Sequence, residues 1–148
     1  MAEGRMTNWL ENKIIDLVFR GVEFTIPDNF YVGLYSTPIS DEANAVEITG
    51  QGYARAMIPR SLTSWAGTQG AASVVPSNGD SGRTSNNVPI EFPMATGEWD
   101  VAMWFAIHDA LTGGNMWFYG QLLYPRIVYP GDTPIVFNAG DLSVWIDV

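Results

Sequence analysis

Leu10, Ile14, Leu17 and Val18 recur at i, i+4, i+7 and i+8, one apolar stripe on a 3.6-residue period, and predict an amphipathic helix over 9–20. Asn8, followed three residues later by Glu11, has the form of a capping box, and Gly21 stands where a left-handed stop is expected. From Phe24 onward the period changes to two, with turn residues at intervals of roughly ten positions, as in an all-β sandwich or barrel. Strands are expected over 30–35, over 53–58 up to Pro59, and over 88–92, 101–107, 116–123, 127–129, 135–137 and 142–148. The runs 101–107 and 116–123 flank Thr112, Gly113, Gly114 and Asn115, a strong hairpin signal. Both are apolar on two faces, which predicts a central hairpin covered by the rest of the sandwich on one side and by the helix or a neighbouring chain on the other.

The stretch 61–87 differs in kind. It carries Gly67, Gly70, Gly79, Gly82 and Pro76 among repeated Ser, Thr and Asn, with few bulky apolar residues. A loop of this length inside one domain is expected to be functional or ordered by a partner, so it reads as a contact arm. Trp65, with Val74 and Val75, supplies the apolar anchors of that arm, and Trp9 and Leu10 those of the N-terminal segment. The expected architecture is therefore a single domain over 1–148, mainly β. It would be an antiparallel β-sandwich or jelly-roll-like barrel with one N-terminal amphipathic helix.

Composition narrows the function. A formal charge of −9, with Lys13 the only lysine, repels a phosphate backbone, so no direct nucleic-acid partner is expected. No cysteine is present, which removes disulfides, thiolate nucleophiles and thiolate-bound zinc. No apolar run reaches the roughly 20 residues of a membrane span, and the N-terminus lacks the basic-then-apolar order of a signal peptide. The chain reads as made in a cytoplasm, with no membrane partner.

Candidate chemistry is sparse. The single histidine, His108, precedes Asp109, and neighbouring strand residues point to opposite faces, so they form no catalytic relay. Glu91, Glu98 and Asp100 lie near Phe92 and Trp99 as a glycosidase pair could, yet turn carboxylates explain them better. The segment from Ser77 to Gly82 offers oxygen ligands without the spacing of a calcium loop, and reads as an Asn-Gly turn. No catalytic residue, cofactor or metal is expected. Trp104 and Trp117 sit in apolar runs and read as core, whereas a glycan-binding module would require several tryptophans exposed together.

The order of features has a resemblance. Phe30-Tyr31-Val32-Gly33-Leu34-Tyr35 is followed by Gly50-Gln51-Gly52-Tyr53-Ala54-Arg55 and by Ile90-Glu91-Phe92-Pro93-Met94-Ala95-Thr96. Then come His108-Asp109-Ala110-Leu111-Thr112-Gly113-Gly114-Asn115, Phe118-Tyr119-Gly120 and Pro130-Gly131-Asp132. This set resembles a family of small bacteriophage structural proteins often labelled tail fibre proteins, over nearly the whole chain. The resemblance implies a virion component assembled in the host cytoplasm. The chain is short and has neither a repeat nor a heptad shaft, which favours a capsid cement or decoration protein bound to the major capsid protein or other virion proteins. A symmetric homo-oligomer such as a trimer would suit that lattice. A tail or tail-fibre component and a glycan-binding receptor module are the alternatives.

Overall fold

The computed structural model describes residues 2–147, so the two ends of the expected unit 1–148, and the last residue of the expected strand 142–148, lie outside the described residues. In chain order the elements are β1 (Ala2–Met6), α1 (Asn8–Arg20), β2 (Asn29–Tyr35), β3 (Ala56–Pro59), β4 (Arg83–Ser85), β5 (Ile90–Glu91), β6 (Trp99–His108), β7 (Met116–Val128), β8 (Val136–Phe137) and β9 (Leu142–Trp145). Seven strands form one curled sheet in the order β3-β2-β6-β7-β1-β9-β4, and β5 pairs with β8 in a separate two-stranded ribbon.

The expected β class and helix are present, but the second layer is much smaller than a sandwich or jelly roll would have. Its two strands are two residues long, and most of 61–87 forms irregular loop in place of sheet. Nor is the sheet wholly antiparallel, since β1 runs parallel to β9 while pairing antiparallel with β7. The β6–β7 hairpin lies centrally as its two-faced apolar pattern requires, and β7 continues through 127–129 up to Val128 without a separate strand. The other expected strands form in shortened versions, at 56–59, 90–91, 136–137 and 142–145.

The main core fills the curl between the sheet and the ribbon, around Val32, Leu34, Phe105, Ile90, Phe92, Ile135 and Leu142. Its floor depends on two small residues. Gly120 faces Gly4 across the β7–β1 pair, and a Cβ at Gly120 would stand 1.9 Å from the Glu3 carbonyl oxygen and 2.7 Å from the Phe105 ring. The absence of side chains lets the Phe105 ring, fully buried, lie against the sheet. On the other face of the sheet a smaller cluster of Tyr35, Ile39, Ala106, Met116 and Tyr119 is packed against Ala43, Ala45 and Trp104.

Candidate interaction surface

The polar residues that could suggest chemistry are absorbed into structure. Arg55 grips Glu47 with two hydrogen bonds, Nη2 to Oε1 at 2.8 Å and Nε to Oε2 at 2.9 Å, and its Nη1 donates to the Ala110 and Gly113 carbonyls of the hairpin turn. The Tyr53 hydroxyl donates to Glu47 at 2.7 Å and accepts from the Leu34 N–H at 2.9 Å. Burial opposes the Glu47 charge, but the bonds from Arg55 and Tyr53 prevail and hold its carboxyl below the usual range. Gly33 leaves the space for this group, since a Cβ there would stand 2.7 Å from Glu47 Oε2.

His108 is 2% exposed, more deeply buried than a turn-proximal imidazole. With Nδ1 donating to the Tyr31 carbonyl at 3.2 Å, Nε2 accepts from the Tyr35 hydroxyl at 2.8 Å. Burial, reinforced by the Arg55 charge, pushes its pKa down to about 4, so the ring is neutral at neutral pH. Asp109 turns away from it. Its carboxylate accepts from the Asn115 backbone, the Asn115 amide and the Trp117 indole, closing the hairpin turn. Glu91, Glu98 and Asp100 are exposed, while Trp99 between the last two is buried with its indole N–H on the Gln51 carbonyl.

The arm is folded on itself. Thr68 N–H donates to Ser77, Asn78 N–H to Gln69, Gly79 N–H to Thr68 Oγ1, and the Ser81 hydroxyl to the Thr68 carbonyl, so the turn at 77–82 is tied to 68–69. Among the described residues no three potential metal-ligating side chains gather. Arg83 to Ser85 at the arm's end enters the sheet as β4, and Trp65 bridges to Asn86. Trp65 is thus half-buried against the core, with its indole N–H buried and unpaired, while Val74 and Val75 are half-exposed at the tip.

The N-terminal segment splits into an anchored half and a free half. Residues 2–6 sit inside the sheet between β7 and β9. The helix is capped by Thr7 rather than Asn8: Thr7 Oγ1 accepts from the Leu10 N–H at 3.3 Å and donates to the Met116 carbonyl at 2.8 Å, joining the cap to β7. Trp9 packs on Trp117 at 5.5 Å and on Phe24 at 6.2 Å, and Lys13 lies over its ring. Leu10 is 3% exposed, so it anchors the helix within its own chain and leaves no surface for a partner.

Beyond this first turn α1 is apolar on a face left exposed by the described residues. Ile15, Val18 and Phe19, with Val22 just past the left-handed Gly21 stop, repeat at i, i+3, i+4 and i+7 and are 51%, 64%, 78% and 49% exposed. This second stripe, offset from Leu10 and Ile14, was legible in the sequence as the same helical period one residue on. Its exposure was not, because it depends on where the body of the protein ends.

Two clefts open on the sheet. One, about 480 Å³, is an apolar groove lined by Phe30, Leu62, Trp65, Ile107, Phe118 and Ile146, with Arg60 the charged residue in its lining. The other, about 840 Å³ on the opposite face, is more polar and brings Glu3, Arg5 and Gln121 beside Trp104, whose ring stacks on Tyr119. Trp99 and Trp117 are buried, so the tryptophans do not form one exposed sugar platform. Among the described residues no helix is long and apolar enough to cross a membrane.

Residues 5–145 match the protein family described as Podophage GP4 fiber I protein gp80. No curated protein matches the chain. The matched span runs from the second half of β1 to the end of β9 and so takes in the helix, the hairpin, the arm and all of the two clefts' lining but Glu3 and Ile146. By that match the chain belongs to the Podophage GP4 fiber I protein gp80 family, a bacteriophage fibre-type family of virion structural proteins.

Proposed function

We propose that this chain is a non-catalytic structural subunit of a phage tail fibre, acting by binding other virion proteins. The observation that carries the reading is the family match to a fibre protein over 5–145, which extends across the fold and is not confined to one motif. The physical support is the uncovered apolar face of α1, since an exposed apolar area beyond a few hundred Å² marks an interaction site on a soluble protein. The structural roles of His108, held between Tyr31 and Tyr35, and of Asp109, which closes the hairpin turn, fit the same reading.

A capsid cement protein would use the same kind of surface, and the short unrepeated chain is compatible with it. The fibre description of the family favours the tail. Gold-labelled antibody against this chain, imaged on intact particles, distinguishes the two. Label confined to the tail supports the fibre reading, and label spread over the shell replaces it with decoration.

A further inference from the structure

The free half of α1 and the apolar groove are each unpartnered, and they differ in shape: one is a ridge and the other a trough. From this pair of surfaces we infer that α1 of one copy seats in the groove of the next, in a head-to-tail contact between identical chains. The inference rests on the assembly reading above for its biological setting, while its physical content concerns the isolated protein.

Size supports the match. The side chains of Ile15, Val18, Phe19 and Val22 together occupy a few hundred Å³, on the order of the groove's approximately 480 Å³. Their exposed area, with that of half-exposed Leu17 and Ile26, is on the order of 600 Å². On the receiving side the groove's own Leu62 and Ile146, 53% and 60% exposed, add on the order of 200 Å², so the two sides together bury roughly 800 Å², the size of a weak, dissociable contact. A symmetric pairing of two such helices would bury the shorter stripe alone and leave both grooves empty.

Charge supports it as well. Two copies of a chain with net charge −9 repel, so a contact between them needs local compensation. Glu11 lies one turn before Ile15 on the exposed face, and Glu23 follows Val22. The groove's charged lining residue is Arg60, whose nearest carboxylate, Asp28, is 3.8 Å away on a side chain 97% exposed. One of the two carboxylates that bracket the helical ridge thus has Arg60, whose Nε donates to the Pro27 carbonyl at 2.8 Å, as a cationic neighbour at the groove's edge.

Because the two surfaces lie at different places on one molecule, the contact is heterologous and propagates into a closed ring or an open row. The test is analytical ultracentrifugation of the full chain and two variants, Phe19→Asp and Leu62→Asp, over ~1 to ~100 μM, where contacts of this size can dissociate. Both residues are exposed, and unchanged circular dichroism and melting temperature confirm that each variant folds. The wild type is expected to sediment above the monomer and each variant as a monomer. An equimolar mixture of the two is expected to form a one-to-one dimer, because one supplies an intact helix and the other an intact groove. A monomeric wild type, a Leu62→Asp variant that still assembles, or a mixture that stays monomeric would each overturn the inference. None of these outcomes bears on whether the chain resides in the tail, which the particle labelling decides separately.

Discussion

Arg55 shows how a single side chain ties distant parts of this chain together. It joins Glu47, in the loop after β2, to the two carbonyls that flank the turn of the β6–β7 hairpin, and its side chain is 7% exposed. Replacing it leaves a largely buried carboxylate and two carbonyls without their donor. Arg55→Ala is therefore expected to cost about 3 kcal/mol, read as a lower urea midpoint at unchanged slope, and a loss under 1 kcal/mol would contradict that role. Position 55 was legible as part of a strand-entry motif, but its partners were not, because they are brought together only by the folded sheet. His108 was correctly separated from Asp109 by strand alternation. Its deep burial against Tyr35 followed instead from the β2–β6 pairing, in which Tyr31 faces His108.

The same histidine sets a pH dependence. Its folded pKa of about 4 lies below the ordinary value of 6.5, so between the two the unfolded chain binds a proton that the folded chain does not. Its contribution is whole above pH 6.5, declines as the pH falls towards 4, and is flat below. The loss amounts to about 3 kcal/mol. Glu47, held below its usual range by Arg55, adds a loss in the same direction at still lower pH. Urea denaturation between pH 7 and pH 4 should show this slope for the wild type, and His108→Gln should flatten the upper part of it. An unchanged slope in the variant would remove His108 as the cause.

At the scale of elements, the strongest periodicities were the most legible. The hairpin, its central place and the Gly21 helix stop all follow from the apolar runs and turn residues. β1 was not legible: Ala2, Gly4 and Met6 alternate with Glu3 and Arg5, but none is β-branched or aromatic, and the strand is held by its pairing with β7 and β9, where Gly4 leaves room for the Phe105 ring. Gly120→Ala tests this. The added methyl meets the Glu3 carbonyl, which cannot rotate away as a side chain could, so the variant should lose about 3 kcal/mol and melt earlier. A variant as stable as the wild type would show that β1 can move aside. The 61–87 segment was legible as irregular but not as self-bonded, because its Ser, Thr and Gln side chains find backbone partners within the loop that spacing does not reveal.

At the scale of the molecule, the β-rich fold with one short helix and the virion family were legible, the first from the change of period and the second from motifs in order. The second sheet is reduced to the two-stranded β5–β8 ribbon, and the expected anchors differ in placement, Val74 and Val75 being half-exposed in the arm. Trp9 and Leu10 fasten the root of α1, Trp65 forms a wall of the groove, and the uncovered face begins at Ile15. An anchored helix root with an exposed apolar face beyond it is the feature that the proposed assembly would use. In a fibre such a subunit is present in few copies, whereas a shell decoration is present in proportion to the capsid lattice. The copy number per purified particle, measured by quantitative mass spectrometry against the major capsid protein, is therefore the most direct test of the account. A small fixed number of copies is the predicted result. A ratio near one, or a simple lattice fraction of it, would contradict the fibre assignment and move the protein to the shell.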